Sequence, residues 1–333
     1  MKAVYKRNLM VLATLLVALP AFGQGVDKIA QTGMKWLSIP VGARASALGG
    51  AYTAMASDAG AMFWNPAGLA QLEGGHVFLN QTRWIAGINV NAASASYQAN
   101  RLGIFGVHVM AVDWGTLNGT RFTGGAELYE QTGTFSPESW LIGLSYARQV
   151  SNKFSFGGNL RYVHENLGNA LEGSFASPQD FKAEINVVAF DFGTIFYTGF
   201  RDFRIAMTIQ NVSEEKEYRF ESFPLPLSFK FGGAMDVLQL FPSLASENHG
   251  VTVSADAIHP RDFSERLHFG MEYQFKKTLF LRGGYKTNYD EEDFTLGGGA
   301  RVNISNMAVG LDYGYLAFKN FDAVHMFSFD FGF

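Results

Sequence analysis

From about residue 76 onward the chain alternates between apolar and polar side chains. Leu267, Phe269, Met271, Tyr273 and Phe275 share one face, and Arg266, His268, Glu272, Gln274 and Lys276 share the other. A period of two is the mark of a β-strand, because successive side chains of an extended chain point to opposite faces. The split recurs in Leu227, Phe229 and Phe231 against Ser228, Lys230 and Asp236, and in Val251, Val253 and Ala255 against Thr252, Ser254 and Asp256. It recurs again in Leu279, Leu281 and Tyr285 against Arg282 and Lys286. Such strands either stack face to face in water or close into a barrel whose apolar side meets lipid. After residue 24 no stretch reaches the roughly 18 apolar residues of a spanning helix, so membrane residence requires a closed barrel, in which every backbone group is paired.

The N-terminus favours the barrel. Lys2, Lys6 and Arg7 precede an apolar run from Leu9 to Leu19, followed by Pro20-Ala21-Phe22-Gly23-Gln24. This is the organisation of a secretory signal peptide, with small residues at the positions a peptidase reads and cleavage expected after Gly23. A membrane anchor needs about 20 apolar residues, and Pro20 closes this run well short of that. The chain contains no cysteine, which excludes a lipid-anchored lipoprotein. A net charge of -4 with only 17% charged residues offers no basic surface, so nucleic acid is excluded as a partner. The expected location is the bacterial outer membrane.

Fourteen strands are expected between 76–84 and 323–333, giving an all-β, antiparallel transmembrane barrel over 76–333. Long connections at 114–137, 166–182 and 212–225 alternate with tight ones such as Asn100-Arg101 and Ile304-Ser305. Long outer loops, short periplasmic turns and an even strand count belong to outer-membrane barrels. The register of 183–198 stays open, since Asp191 interrupts Val188, Phe190 and Phe192. The chain ends with Phe327, Phe329, Phe331 and Phe333 on one face. This amphipathic last strand reads as the signal taken up by the barrel assembly machinery, with its rings toward outer-membrane lipid.

Residues 24–75 do not alternate and are rich in Ala and Gly. A fourteen-strand barrel is wide enough to need filling, so this segment is expected to be a small helical plug or hatch. Ser57 and Asn65 are candidate helix caps, and Pro66 after Asn65 occupies a favoured first helical position. The element Asn65, Pro66, Ala67 and Gly68 is read as structural.

The sequence here becomes specific. Arg44 to Tyr52 (RASALGGAY), Asp58, and Trp64 to Leu69 (WNPAGL) resemble the N-terminal signature of the PorV/PorQ family. That family is a branch of the FadL-like barrels, which share the Asn-Pro-Ala element. Leu281 to Lys286 followed by Asn288-Tyr289-Asp290 is also similar to PorV-like proteins. The resemblance implies a fourteen-strand barrel with an N-terminal hatch. It further implies a cargo-binding shuttle of type IX protein secretion, whose partners are cargo C-terminal signal domains and a large translocon barrel. For the wider FadL-like group it implies instead a channel admitting hydrophobic small molecules through the hatch region.

Catalytic signatures are lacking. The seven histidines form no HExxH pair, no cysteine completes a zinc site, and no G-x-S-x-G elbow occurs. Neither an enzyme nor a metal or other cofactor is expected. Gly297-Gly298-Gly299 reads as a bend or a close contact of wall with plug. The inward-facing charges, among them Arg161, Lys230, Asp256, Glu272, Arg282 and Asp312, carry both signs, which predicts a paired network joining wall to plug. In the longest loop, Trp114, Phe122, Tyr129 and Phe135 are candidates for a binding surface, because aromatics dominate interface hot spots.

Overall fold

The computed structural model describes residues 31–123, 127–174, 177–217, 221–241 and 248–333. The expected signal peptide, the first residues of the hatch segment and the turn around Pro242 lie outside the described residues. The first strands are β1 (Gly75–Arg83), β2 (Asn89–Gln98), β3 (Ile104–Asp113), β4 (Leu117–Phe122), β5 (Tyr129–Phe135) and β6 (Glu138–Ser151). Then come β7 (Phe154–Ser174), β8 (Ser177–Tyr197), β9 (Arg204–Ser213), β10 (Lys216–Glu217), β11 (Ser222–Phe223) and β12 (Ser228–Asp236). The last are β13 (His249–Pro260), β14 (Arg266–Phe275), β15 (Leu279–Lys286), β16 (Glu292–Ile304), β17 (Met307–Phe318) and β18 (Val324–Gly332).

Fourteen of these strands close into one antiparallel barrel, in which every wall strand pairs with its neighbour along the chain and β18 returns to β1. The closing ladder runs from His76↔Gly332 to Arg83↔His325. Beyond it, Phe333 and Gly75 exchange both backbone hydrogen bonds at 2.8 Å. That end of the barrel carries the tight turns and is therefore periplasmic. Val107, Leu144, Phe190, Phe192, Phe269 and Leu281 are exposed on the outside of the wall, while their sequence neighbours are buried within it. In water this band would be a large apolar patch; in a bilayer it is the lipid-facing surface.

The three expected outer loops contain strand. The segment 114–137 folds into the separate hairpin of β4 and β5, and 212–225 holds the two-residue ladder of β10 with β11. Across 166–182 the strands β7 and β8 simply continue, with Ser174 still opposite Ser177. A register shift between Asn166 and Asn169, at the positive φ of Gly168, breaks the alternation there. The open register of 183–198 resolves with Val188, Phe190 and Phe192 outward and Asp191 inward, across a shift in the β8–β9 ladder.

The barrel is filled by the N-terminal segment. It comprises 3-10 turns at Lys35–Ser38, Ala59–Phe63 and Pro66–Gln71 and a short helix α1 (Ala43–Ala47). Leu48, Tyr52, Met55, Met62 and Leu69 pack with wall residues Ile104, Ala147, Ile195 and Ala206 in the interior core. Small wall residues let the backbones approach. A Cβ on Gly193 would collide with the Asn65 amide, and one on Gly157 with the Pro66 carbonyl. Likewise a Cβ on Gly297 would collide with Ala47, so the first glycine of the run in β16 is a contact of wall with hatch, while Gly298 and Gly299 face other wall residues.

Candidate functional site: a vestibule between hatch and wall

Asn65 organises the hatch. Its backbone is extended (φ -142°), its side-chain oxygen accepts from the Ala67 N–H at 3.1 Å, and Pro66 fills the first helical position. The Asn65 amide donates to the carbonyls of Thr53 at 2.8 Å and Thr194 at 3.3 Å, tying this turn to a second hatch turn and to β8. Ser57, expected as a cap, instead accepts from Arg44 Nη1 at 3.1 Å. Trp64 donates its indole N–H to the Val41 carbonyl at 2.6 Å and meets the Tyr52 ring edge-on.

A buried ionic chain fastens the hatch on its other side. Arg44 on α1 forks onto Glu272 of β14. Arg282 of β15 donates to the same carboxylate at 2.6 Å and to Asp312 of β17 at 2.5 Å. Burial works against the Arg44 cation, but the Glu272 carboxylate outweighs it and holds the guanidinium pKa well above its usual value. Burial also pushes the Tyr52 phenol up, so it stays protonated and donates to Asp58 at 2.5 Å. This is the paired network expected of the inward charges, with Arg44 as the hatch partner that alternation could not supply.

Above the hatch, toward the outer end, lies a cavity of about 470 Å³. Four of the five tryptophans, Trp36, Trp64, Trp84 and Trp114, line it together with Phe63, Met110 and Leu141. The opposite side is polar: Lys230 sits 4.8 Å over the Trp64 ring, and Arg266 lies 3.9 Å over the Tyr289 ring. Lys286 is paired with Glu292. The fifth tryptophan, Trp140, lines a groove of about 810 Å³ on the lipid-facing wall, with Ala93, Ala111, Phe327 and Phe329. Met110 and Leu141 line both spaces and so separate them.

The four aromatic candidates of the outer loop are not brought together. Trp114 turns inward, donating to Ser139 Oγ at 2.9 Å and lining the vestibule. Phe122 and Tyr129 face each other in the register of the β4–β5 hairpin, 63% and 64% exposed, and Phe135 lies at its base near Gly168. Phe327 and Phe329 line the outer groove, while Phe331 and Phe333 lie with ring centroids 5.7 Å apart at the periplasmic end. Trp36 and Trp84 were missed by sequence reasoning. Trp36 lies in the non-alternating hatch segment and Trp84 at the very end of the first expected strand, so alternation could assign neither to the interior.

The sequence model described as "Outer membrane protein transport protein (OMPP1/FadL/TodX)" matches residues 37–195, the hatch and the first half of the wall. Over that stretch the chain is similar to the outer-membrane transport proteins of the FadL family. Solved structures share the fold. The CymD monoaromatic hydrocarbon channel superposes with a TM-score of 0.55 at 16% identity, covering 89% of this chain and 98% of that one. The Pseudomonas putida toluene transporter TodX gives 0.53 at 12% identity, covering 86% and 96%. A Pseudomonas aeruginosa FadL homologue gives 0.53 at 11%, covering 88% and 98%. No curated protein matches the sequence of this barrel. None of these matches carries the narrower PorV/PorQ assignment.

Proposed function

We propose that this FadL-like barrel is a channel for hydrophobic small molecules, with the vestibule as the compartment a solute occupies on its way past the hatch. The observation that carries this is the concentration of four tryptophans, with Phe63, Met110 and Leu141, around one internal cavity. A volume of about 470 Å³ lies within the roughly 300–1,000 Å³ of small-molecule sites, and an apolar lining with a few polar groups on one side is their usual composition. Structural relatives named for monoaromatic hydrocarbons and for toluene support a small apolar solute. They support it better than the secretion shuttle that the PorV/PorQ resemblance implied, whose loop aromatics do not converge on one surface.

The test is uptake of radiolabelled toluene by cells whose outer membrane lacks such a channel. Expression of the chain is expected to raise the initial rate at least severalfold, and Trp64→Ala to reduce that gain. Equal rates with and without the correctly inserted barrel would overturn the proposal.

A further inference from the structure

On the lipid-facing wall one row of paired residues crosses from β17 to β7 near the outer end. Tyr313 pairs with Phe327, Phe327 with Gln81, and Gln81 with Asn91. Asn91 in turn pairs with Ala111, Ala111 with Trp140, and Trp140 with His164. At one end the rings of Tyr313 and Phe327 lie 5.3 Å apart, and at the other those of Trp140 and His164 stack at 4.9 Å. Rings at such a level form the aromatic girdle of an outer-membrane barrel. Between the two ring pairs Gln81, Asn91 and Ala111 interrupt it, all three exposed on the outside. This interruption is the upper part of the groove of about 810 Å³ on the wall.

Down the groove the chemistry changes in three steps. One outward position nearer the outer end, about 7 Å along the strands, Arg83 pairs with His325 in the closing ladder. Arg83 is exposed and has no ion-pair or hydrogen-bond partner among the described residues. His325 shares its Nδ1 with the Tyr313 hydroxyl at 2.8 Å, and its Nε2 has no partner among them. The acids of this upper row, Asp113 and Glu138, stand on β3 and β6. Asp113, the nearer, is two strand spacings from Arg83, about 10 Å, with Asn89 between. Below Arg83 the carboxamides of Gln81 and Asn91 sit side by side, also unpartnered among the described residues. One outward position further in come Leu79, Ala93 and Val109, which are wholly apolar.

We propose that this groove holds one phosphorylated acyl lipid of the outer leaflet. Arg83 and His325 take the phosphate, and Gln81 and Asn91 hydrogen-bond the amide or ester linkage beneath it. An acyl chain lies over Ala93 and Ala111, with Trp140 on one side and Phe327 and Phe329 on the other. Polar side chains facing a membrane are costly unless they are paired, and a lipid linkage is the partner found at that depth. A cation alone would suit any anion. The apolar trough directly below it, sunk between large rings, selects an anion that carries a chain. A second barrel on this face, related by a two-fold axis along the membrane normal, would bring Arg83 to the level of its own copy, like charge against like. Met110 and Leu141 stand between the groove and the vestibule, so this lipid is a fixture of the wall and its site is independent of the channel reading.

Native mass spectrometry of the full barrel in a non-ionic detergent, titrated with lipid A, tests the site. One lipid is expected to be retained per chain. Arg83→Ala with His325→Ala is expected to weaken retention about tenfold, Gln81→Leu with Asn91→Leu about fivefold, and Arg83→Lys to keep it within about twofold. Lipid A stripped of its phosphates is expected to bind the parent about tenfold more weakly and to bind the Arg83/His325 variant equally weakly. Arg101→Ala, on the exposed periplasmic turn between β2 and β3, is expected to change nothing. Equal retention by the parent and the Arg83/His325 variant, or of lipid A with and without its phosphates, overturns the proposal. So does displacement of lipid A by an equal concentration of inorganic phosphate, which would make this a plain anion site. Should the double alanine variant fail to fold, Ala111→Trp fills the groove while keeping every polar group. It is expected to abolish retention, and undiminished retention there overturns the proposal as well.

Discussion

Arg44 and Glu272 are joined by two parallel hydrogen bonds, Nε to Oε2 at 2.9 Å and Nη2 to Oε1 at 3.0 Å. One belongs to the hatch and the other to β14, so this fork is where the plug is fastened to the wall. Both groups are buried. Removing Arg44 leaves Glu272 to Arg282 alone, and removing Glu272 leaves Arg44 only the longer carboxylate contact to Asp58 at 3.4 Å. Breaking a buried pair costs up to about 3–5 kcal/mol, whereas replacing both by apolar residues is often neutral. Arg44→Ala is therefore expected to lower the thermal midpoint in detergent and to raise ion conductance in planar bilayers as the hatch loosens. Arg44→Met with Glu272→Met is expected to recover part of the stability. A singly substituted barrel that stays as stable and as tightly closed as the parent would refute the anchoring role.

Fit between hatch and wall depends equally on absent side chains. Gly193→Ala is expected to destabilise the barrel by about 1–3 kcal/mol, because its new methyl meets the fixed Asn65 amide rather than a movable side-chain end. Gly298→Ala serves as the comparison: its Cβ has the Phe280 carbonyl as nearest neighbour at an ordinary 3.5 Å. Urea unfolding from lipid vesicles measures both, and equal losses would show that hatch contact is not the cause.

The wall was legible in the sequence because lipid on one side and a filled interior on the other impose a strict period of two, as in Leu267 to Phe275. The closing pair of β1 with β18 followed from the need to leave no edge open. Other features were hidden for physical reasons. In the 166–182 segment, Gly168 and a register shift scramble the alternation although the strands continue. In 226–227 the apolar pattern reads as strand, yet Pro226 has no donor for a ladder, and β12 begins at Ser228. The hatch motif was visible as Asn65 to Gly68, but the partners of Arg44 lie 228 and 14 residues away and are fixed only by closure of the barrel. The vestibule follows the same logic: its tryptophans come from the hatch and from strand ends that are distant in the chain.

The division of the loop aromatics between two places gives a direct comparison. Trp114 lines the vestibule, whereas Phe122 and Tyr129 stand on a hairpin that projects from the outer end. Trp114→Ala removes a large part of the apolar lining and is expected to change initial toluene uptake by about tenfold, since a buried aromatic contributes several times RT to holding an apolar solute. Phe122→Ala with Tyr129→Ala is expected to leave uptake within experimental scatter. Uptake that responds to the hairpin pair and ignores Trp114 would move the binding surface back to the loop.

Thr32 and Lys35 of the hatch both hold the Asp262 carboxylate of the β13–β14 connection, at 2.6 and 2.7 Å, and this docking carries its own pH signature. Burial pushes the Asp262 carboxyl up, but hydrogen bonds from Lys35 and Thr32, together with the Lys35 charge, outweigh burial and leave its pKa below the usual carboxylate range. A carboxylate whose pKa is depressed in the folded protein stabilises it above the unfolded value of about 3.9, and that contribution disappears as pH falls through the folded value. The docking of Thr32 and Lys35 is therefore expected to be constant from neutral pH down to about 4 and to weaken only below it. Asp262→Asn should abolish this dependence, since an amide keeps the shape but not the charge that holds Lys35. Fluorescence of Trp36, measured with the other four tryptophans replaced by phenylalanine, follows the docking. A transition centred near neutral pH, or one that survives Asp262→Asn, would show that a different group holds the segment in place.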